Sequence, residues 1–302
     1  RDGDNETFPE WSVQTWFMAK YGLNFGYPEM FEMLLENNQG EIYTKKIHAI
    51  SVDSMRTFYK LKYAEKYAKP PSGRGIYLQK LNDSLHLLKI RSFSSSILRK
   101  RYKQRFRKSI RNIFKEINKT KPESLVIDLR GNLGGESTNG NYLLSHLVKK
   151  PYNIVECTDM VRRRGGKTDR VIKNRGLRFR IRFAKKWNKS VYKGKMIALI
   201  DGGSFSCSGI VASNLDRYTN CQFIGQETGG NATRMSGAGE TEKLPNTKIR
   251  IKIPVTRYTI RPESELTSHG VLPDVEISLT KEEKLSYNDA FLLKALKIIQ
   301  SN

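Results

Sequence analysis

Three short runs constrain the fold of this chain more than any other feature: SLVIDLR (124–130), KMIALIDGG (195–203) and CQFIGQE (221–227). The first is almost fully apolar, not at alternate positions, and the other two repeat the strand. A strand with one wet face alternates, so strands of this kind belong in a sheet covered on both sides. Helical stretches follow the first two, STNGNYLLSHLVKK (137–150) and SCSGIVASNLDRY (206–218). Strands alternating with helices of this length predict parallel pairing through right-handed crossovers, an α/β fold.

The same rhythm begins near residue 77. SLHLLKIRSF (84–93) predicts a strand, and residues 94–120 carry Phe106, Ile110, Ile113, Phe114 and Ile117 at helical spacing behind three capping serines. KIRIKIPV (248–255) alternates strictly and places Ile249, Ile251, Ile253 and Val255 on one face of a strand; SYNDAFLLKALKII (286–299) predicts a last helix. Residues 1–50 read as a small mixed unit, a helix in FPEWSVQTWFMAKYG and two strands around NQG. Residues 51–76 read as a linker, because KPPSGRG opposes regular structure. The remaining unit is then 77–302.

The chain has 302 residues, 38% of them hydrophobic, enough for a substantial core. No run is long and apolar enough for a membrane helix, and RDGDNETFPEW is not a signal sequence. An Arg at position 1 implies a processed or trimmed chain. Cys157, Cys207 and Cys221 lack the paired spacing of a zinc or redox site. The net charge of +24 is concentrated in residues 99–115 and 162–189. Such a field attracts nucleic acid, anionic membrane or acidic protein, but neither block carries a recognisable nucleic-acid module.

Two stretches offer chemistry. In DLRGNLGG (128–135), glycines after a buried strand let backbone amides approach an anion, although the spacing is neither that of a P-loop nor of a dinucleotide fingerprint. In DGGSFSCSG (201–209), Ser204, Ser206 and Ser208 surround Cys207 where a strand becomes a helix. A serine there serves as a nucleophile facing helix amides or as an ordinary helix cap, and the residues alone leave both open. The GxSxG elbow of α/β-hydrolases is absent, since Ser204 stands two residues before Ser206.

With FIGQETGG (223–230), LPNTKIRIKIPV (244–255) and HGVLPDVEI (269–277), these stretches form an ordered set that resembles the tail-specific, or C-terminal processing, serine peptidases, including the tricorn core, over about residues 78–299. The resemblance implies a crotonase- or ClpP-like core of ββα units with a parallel sheet, preceded by part of a PDZ-like α+β domain. It selects Ser206 as nucleophile, with an oxyanion hole from the amide of Cys207 and one from Gly134 or Gly135. The substrate implied is a peptide or protein, with no cofactor or metal, in a secreted or cell-envelope setting. Two positions depart from the pattern. Asn231 stands where the lysine-dyad branch has its general base, and Gly209 where many members carry glutamate. Asparagine cannot take the serine proton, so the expected base is a histidine ahead of Arg1, as in the tricorn-like branch. Within the chain, His269 is the alternative base, with Glu263, or its neighbour Glu265, to orient it. A family member acting as a catalytically inactive peptide-binding module is the second functional expectation.

Overall fold

A computed structural model describes residues 5–37, 39–63, 73–164, 167–173, 191–237, 239–261, 268–285 and 289–301. The chain forms two compact units, one from residues 1–11 and 73–302, the other from residues 12–72. The smaller unit contains most of helix α1 (Thr7–Phe25), a hairpin of β1 (Met30–Glu36) and β2 (Ile42–His48), and helix α2 (Val52–Tyr63). Helix α1 and the two strands lie where the sequence predicts them. Helix α2 occupies part of the stretch read as a linker. The breakers Pro70, Pro71 and Gly73 come after it and do not prevent it.

The larger unit is built on a six-stranded sheet. Its strands are β3 (Ile76–Lys80), β4 (Leu85–Ile90), β5 (Ser124–Asp128), β8 (Lys195–Ile200), β9 (Gln222–Gly225) and β14 (Val275–Glu276). The order is β14-β9-β8-β5-β4-β3; only the β3–β4 pair is antiparallel. Alternate residues feed two cores. Leu88, Ile127, Ala198 and Phe223 join one with helices α3 (Ser95–Tyr102), α4 (Phe106–Thr120), α5 (Ser137–Leu144) and α6 (Cys207–Tyr218). Leu87, Val126, Leu199 and Ile224 join the other, closed by Phe291 and Ala295 of a later helix, Ala290–Ser301. Burial on both faces is why these strands read as unbroken apolar runs.

The predicted helix over 94–120 is two helices. Ser94 caps the first, accepting from the Ile97 amide, and Lys103 then turns left-handed at φ 54°. The break frees Gln104, whose buried side chain accepts from the amides of Gly75 and Ile76 and donates to the Ile76 carbonyl. The start of β3 is thereby satisfied. Such a left-handed non-glycine residue costs about 1–2 kcal/mol, and three hydrogen bonds to buried backbone offset it.

A second, antiparallel sheet runs β10-β13-β6-β7, from Arg234–Ser236 (β10), Thr256–Thr259 (β13), Cys157–Arg164 (β6) and Lys167–Lys173 (β7). A separate hairpin pairs β11 (Gly239–Lys243) with β12 (Arg250–Pro254). Strand β12 is the predicted alternating strand, but Ile249 and Ile251 are exposed, 58% and 41%, not core residues. Lys281–Leu285 forms the short helix α7, so the terminal helix is α8. Much of the basic block 162–189 lies outside the described residues.

Candidate active site

The three serines at the β8–α6 junction have different surroundings. Ser204 is fully buried; its hydroxyl donates to the Leu129 carbonyl and accepts from the Asp201 amide. Ser208 is also fully buried, inside the first turn of α6. Ser206 alone lines a cavity of about 470 Å³. It occupies the cap position of α6 with φ 55° and ψ −125°, and its side chain makes no capping hydrogen bond. The ordinary cap reading is therefore excluded for this residue: its backbone is not in the extended region typical of a cap, and its hydroxyl is not spent on helix amides.

Room for this turn comes from glycines in other segments. A Cβ at Gly134, whose φ is +91°, would lie 2.8 Å from the Ser206 Cβ and 2.7 Å from the Cys207 nitrogen; one at Gly230 would lie 3.2 Å from the Ser206 nitrogen. Gly209 packs against the same loop, 3.3 Å from the Gly230 Cα by the same measure. A glutamate there would meet that backbone, which gives the departure at Gly209 a packing reason.

The DLRGNLGG loop is fixed by its own polar side chains. The Gly134 amide donates to Asn132 Oδ1 at 2.9 Å, and the Gly134 carbonyl accepts from Phe93. Asn132 is buried and donates through Nδ2 to the Ile90 carbonyl at 2.8 Å. Gly135 forms a parallel bridge with Phe93 in which the bonds belong to Gly134 and Glu136. Its own N–H has no acceptor among the described backbone bonds. The Cys207 N–H opens α6, where first-turn amides lack intrahelical partners. Gly135 and Cys207 both line the cavity with Ser206. The Cys207 side chain is buried and its thiol donates to the Glu136 carbonyl; burial pushes its pKa up to about 12, which removes it as a thiolate.

Two carboxylates at strand ends hold these loops. Asp201 accepts from the amides of Gly131 and Gly203, joining the glycine loop to the serine loop; burial raises its pKa. Asp128 pairs with Lys89 at 2.9 Å and Arg130 at 2.8 Å. Burial opposes its ionisation, but the two cations prevail and hold its pKa at about 2. Arg130 continues to Asp289 at 2.7 Å and lies over the Phe291 ring, tying α8 to the loop.

The segment Asn5–Trp11 also packs here, a contribution the sequence did not reveal. Phe8 stacks on Phe205 with ring centroids 4.2 Å apart, and Trp11 covers Gly203. Asn5 donates to Glu227 Oε1 at 3.0 Å and to the Thr228 carbonyl at 2.9 Å.

Glu263 and Glu265 lie outside the described residues. His269 is 62% exposed in its side chain, and it is Glu227 that stands near its ring, Nδ1 to Oε1 3.7 Å. His269 is not among the residues lining the Ser206 cavity. His146 is stacked on Phe114, and burial lowers its pKa to about 4; His86 is buried and lowered for the same reason. Asn231 has a local role: its Oδ1 accepts from the amides of Thr233 and Arg234. Among the described residues no metal-binding cluster occurs.

The family model described as peptidase family S41 matches residues 85–277. Mature CPAF aligns at 12% identity over 89% of this chain and 66% of its own, with a TM-score of 0.59. Mature CPAF complexed with lactacystin aligns at 12% identity over 90% of this chain and 68% of its own, with a TM-score of 0.57. Both show a shared fold. The photosystem II D1 C-terminal processing protease aligns at 15% identity over 86% of this chain and 60% of its own, with a TM-score of 0.43. No curated protein sequence matches.

Proposed function

The chain belongs to peptidase family S41, a family of serine peptidases, and from that premise we propose that it cleaves peptide bonds by acyl transfer to Ser206. The observation that carries this reading is the Ser206 backbone, φ 55° and ψ −125°, which turns an unengaged hydroxyl to the cavity at a helix N-terminus. In the proposed reaction Ser206 Oγ attacks the scissile carbonyl carbon and loses its proton. The N–H groups of Cys207 and Gly135 hold the tetrahedral oxyanion. Gly134 serves differently, since its amide is committed to Asn132. Collapse expels the amine with that proton, and water then attacks the acyl-enzyme, regenerating the serine and releasing the acid.

The proposed proton acceptor is a histidine ahead of Arg1. The docking of Asn5–Trp11 against Phe205, Gly203 and Glu227 supports this, because it holds the first described residues beside the nucleophile loop. The alternative acceptor within the chain is His269, with Glu263 to orient it; among the described residues Glu227 stands near its ring. An envelope or secreted location belongs to the same proposal; no described helix is long and apolar enough to cross a membrane.

The test is fluorophosphonate labelling of this chain and of a longer one extending upstream. Covalent modification lost in Ser206→Ala, with unchanged folding by circular dichroism, is the expected result. Labelling that persists in that variant, or is absent from both chains, would sink the reading. Loss of labelling in His269→Gln would assign the base to His269.

A further inference from the structure

Substrate class is legible in the β11–β12 hairpin. Its register places Thr241 opposite Lys252 and Lys243 opposite Arg250. Paired residues share a face and neighbours alternate, so Lys243, Arg250 and Lys252 stand on one side, while Glu240, Glu242, Ile251 and Ile253 stand on the other. Lys252 lines the Ser206 cavity, so the cationic side is the cavity side. All three cations are exposed, and none has a carboxylate partner among the described residues.

The cavity's other charged residue, Glu136, keeps its negative charge but forms no ion pair with them among the described residues. Glu136 Oε2 accepts from the Ser95 amide at 2.7 Å, the Ser95 hydroxyl at 3.1 Å and Asn139 Nδ2 at 3.0 Å. Ile210, Met235 and Tyr258 supply apolar lining, and Lys252 is the cation of the cavity. The direct Lys243–Arg250 opposition is itself unfavourable, and a two-stranded sheet has little stability to spare. An anion lying along this face relieves that repulsion.

We propose that this face selects acidic polypeptides. Lys252 meets an acidic side chain next to the scissile bond, and Arg250 and Lys243 meet further carboxylates along the bound chain. The inference rests on Ser206 being the nucleophile. The experiment therefore uses three probes on the chain form that labels best: a small fluorophosphonate, and two peptidyl phosphonates differing only in Glu or Lys beside the reactive phosphorus. The readout is the ratio of Ser206 labelling rates, Glu probe over Lys probe. A ratio of about five or more at low salt, falling as salt screens the charges, is expected. Lys252→Glu should invert it, and Lys252→Gln, which keeps the length and removes the charge, should bring it near one. If the fluorophosphonate labels Ser206 but the ratio is one, or survives both substitutions, the acidic specificity is overturned and the peptidase stands. If no probe labels Ser206, both fall together.

Discussion

At Ser206 the backbone holds a conformation that non-glycine residues adopt at a cost of about 1–3 kcal/mol. Hydrolase elbows keep the small residues this needs beside the serine in sequence; here Gly134 and Gly230 supply them from two other loops. A search for GxSxG therefore fails although the geometric requirement is met. Gly134→Ala should be severe twice over, because its φ is +91° and the added methyl would sit 2.7 Å from the Cys207 amide. Labelling of Ser206 should slow by about 10²-fold or more, the scale of losing an oxyanion donor. A variant that labels at the normal rate would show that Gly134 can move without disturbing Cys207. In the sequence Asn132 is one residue of a glycine turn. Its two buried hydrogen bonds show it shaping that turn, a role that depends on where the Ile90 carbonyl lies in space.

Among the elements, the start of α1 differs from the rest in function. Residues 7–11 belong to the larger unit, and Phe8 bears on the ring that precedes the nucleophile. Phe8→Ala should lower kcat by about ten- to a hundredfold with little change in KM, since a small misplacement of a reacting group is enough for such a loss. Peptide-cleavage kinetics would check it; a rise in KM alone would mean that Phe8 contacts substrate and does not position Ser206. The sequence displays β4, β5, β8 and β9 of the central sheet because burial on both faces favours runs of apolar residues, but not the edge strands β3 and β14, which are only partly buried. It displayed neither the break at Lys103 nor β6 and β7. A left-handed lysine has no local signature, and the reason for this one, Gln104 reaching β3, is tertiary. In β6 and β7, charged residues replace the apolar alternation that marks a strand. Strand β12 alternates in sequence, but alternation tells only that two faces differ. That its cationic face is the one at the cavity follows from its pairing with β11 and from Lys252 in the lining.

For the molecule as a whole, buried titratable groups make acid the natural denaturant. His146 has a folded pKa near 4 against an ordinary value near 6.5. Between those values the unfolded chain binds a proton that the folded chain refuses, so stability falls as pH drops from 6.5 toward 4. Asp128 acts in a lower window. Its ionised form is favoured in the fold, so its contribution is present above its ordinary value of 3.8 and is lost as pH falls toward 2. Urea midpoints between pH 7 and 4 should decline, and His146→Leu should flatten that decline; an equal decline in the variant would assign it to other groups. The candidate site spans both kinds of legibility. Ser206, Cys207, Gly134 and Gly135 sit in two contiguous motifs, whereas Phe8, Glu227 and Lys252 enter only through the folded chain.

The link from Asp128 through Arg130 to Asp289 has a consequence in time. The ribosome makes Gly134, Gly135 and Ser206 well before it makes Asp289 and Phe291, the residues that clamp Arg130. A nascent chain can thus lay down its sheet and serine loop while the glycine loop still lacks its anchor. Completion of α8 then fastens Arg130, and with it the glycine loop, to the other face of the sheet.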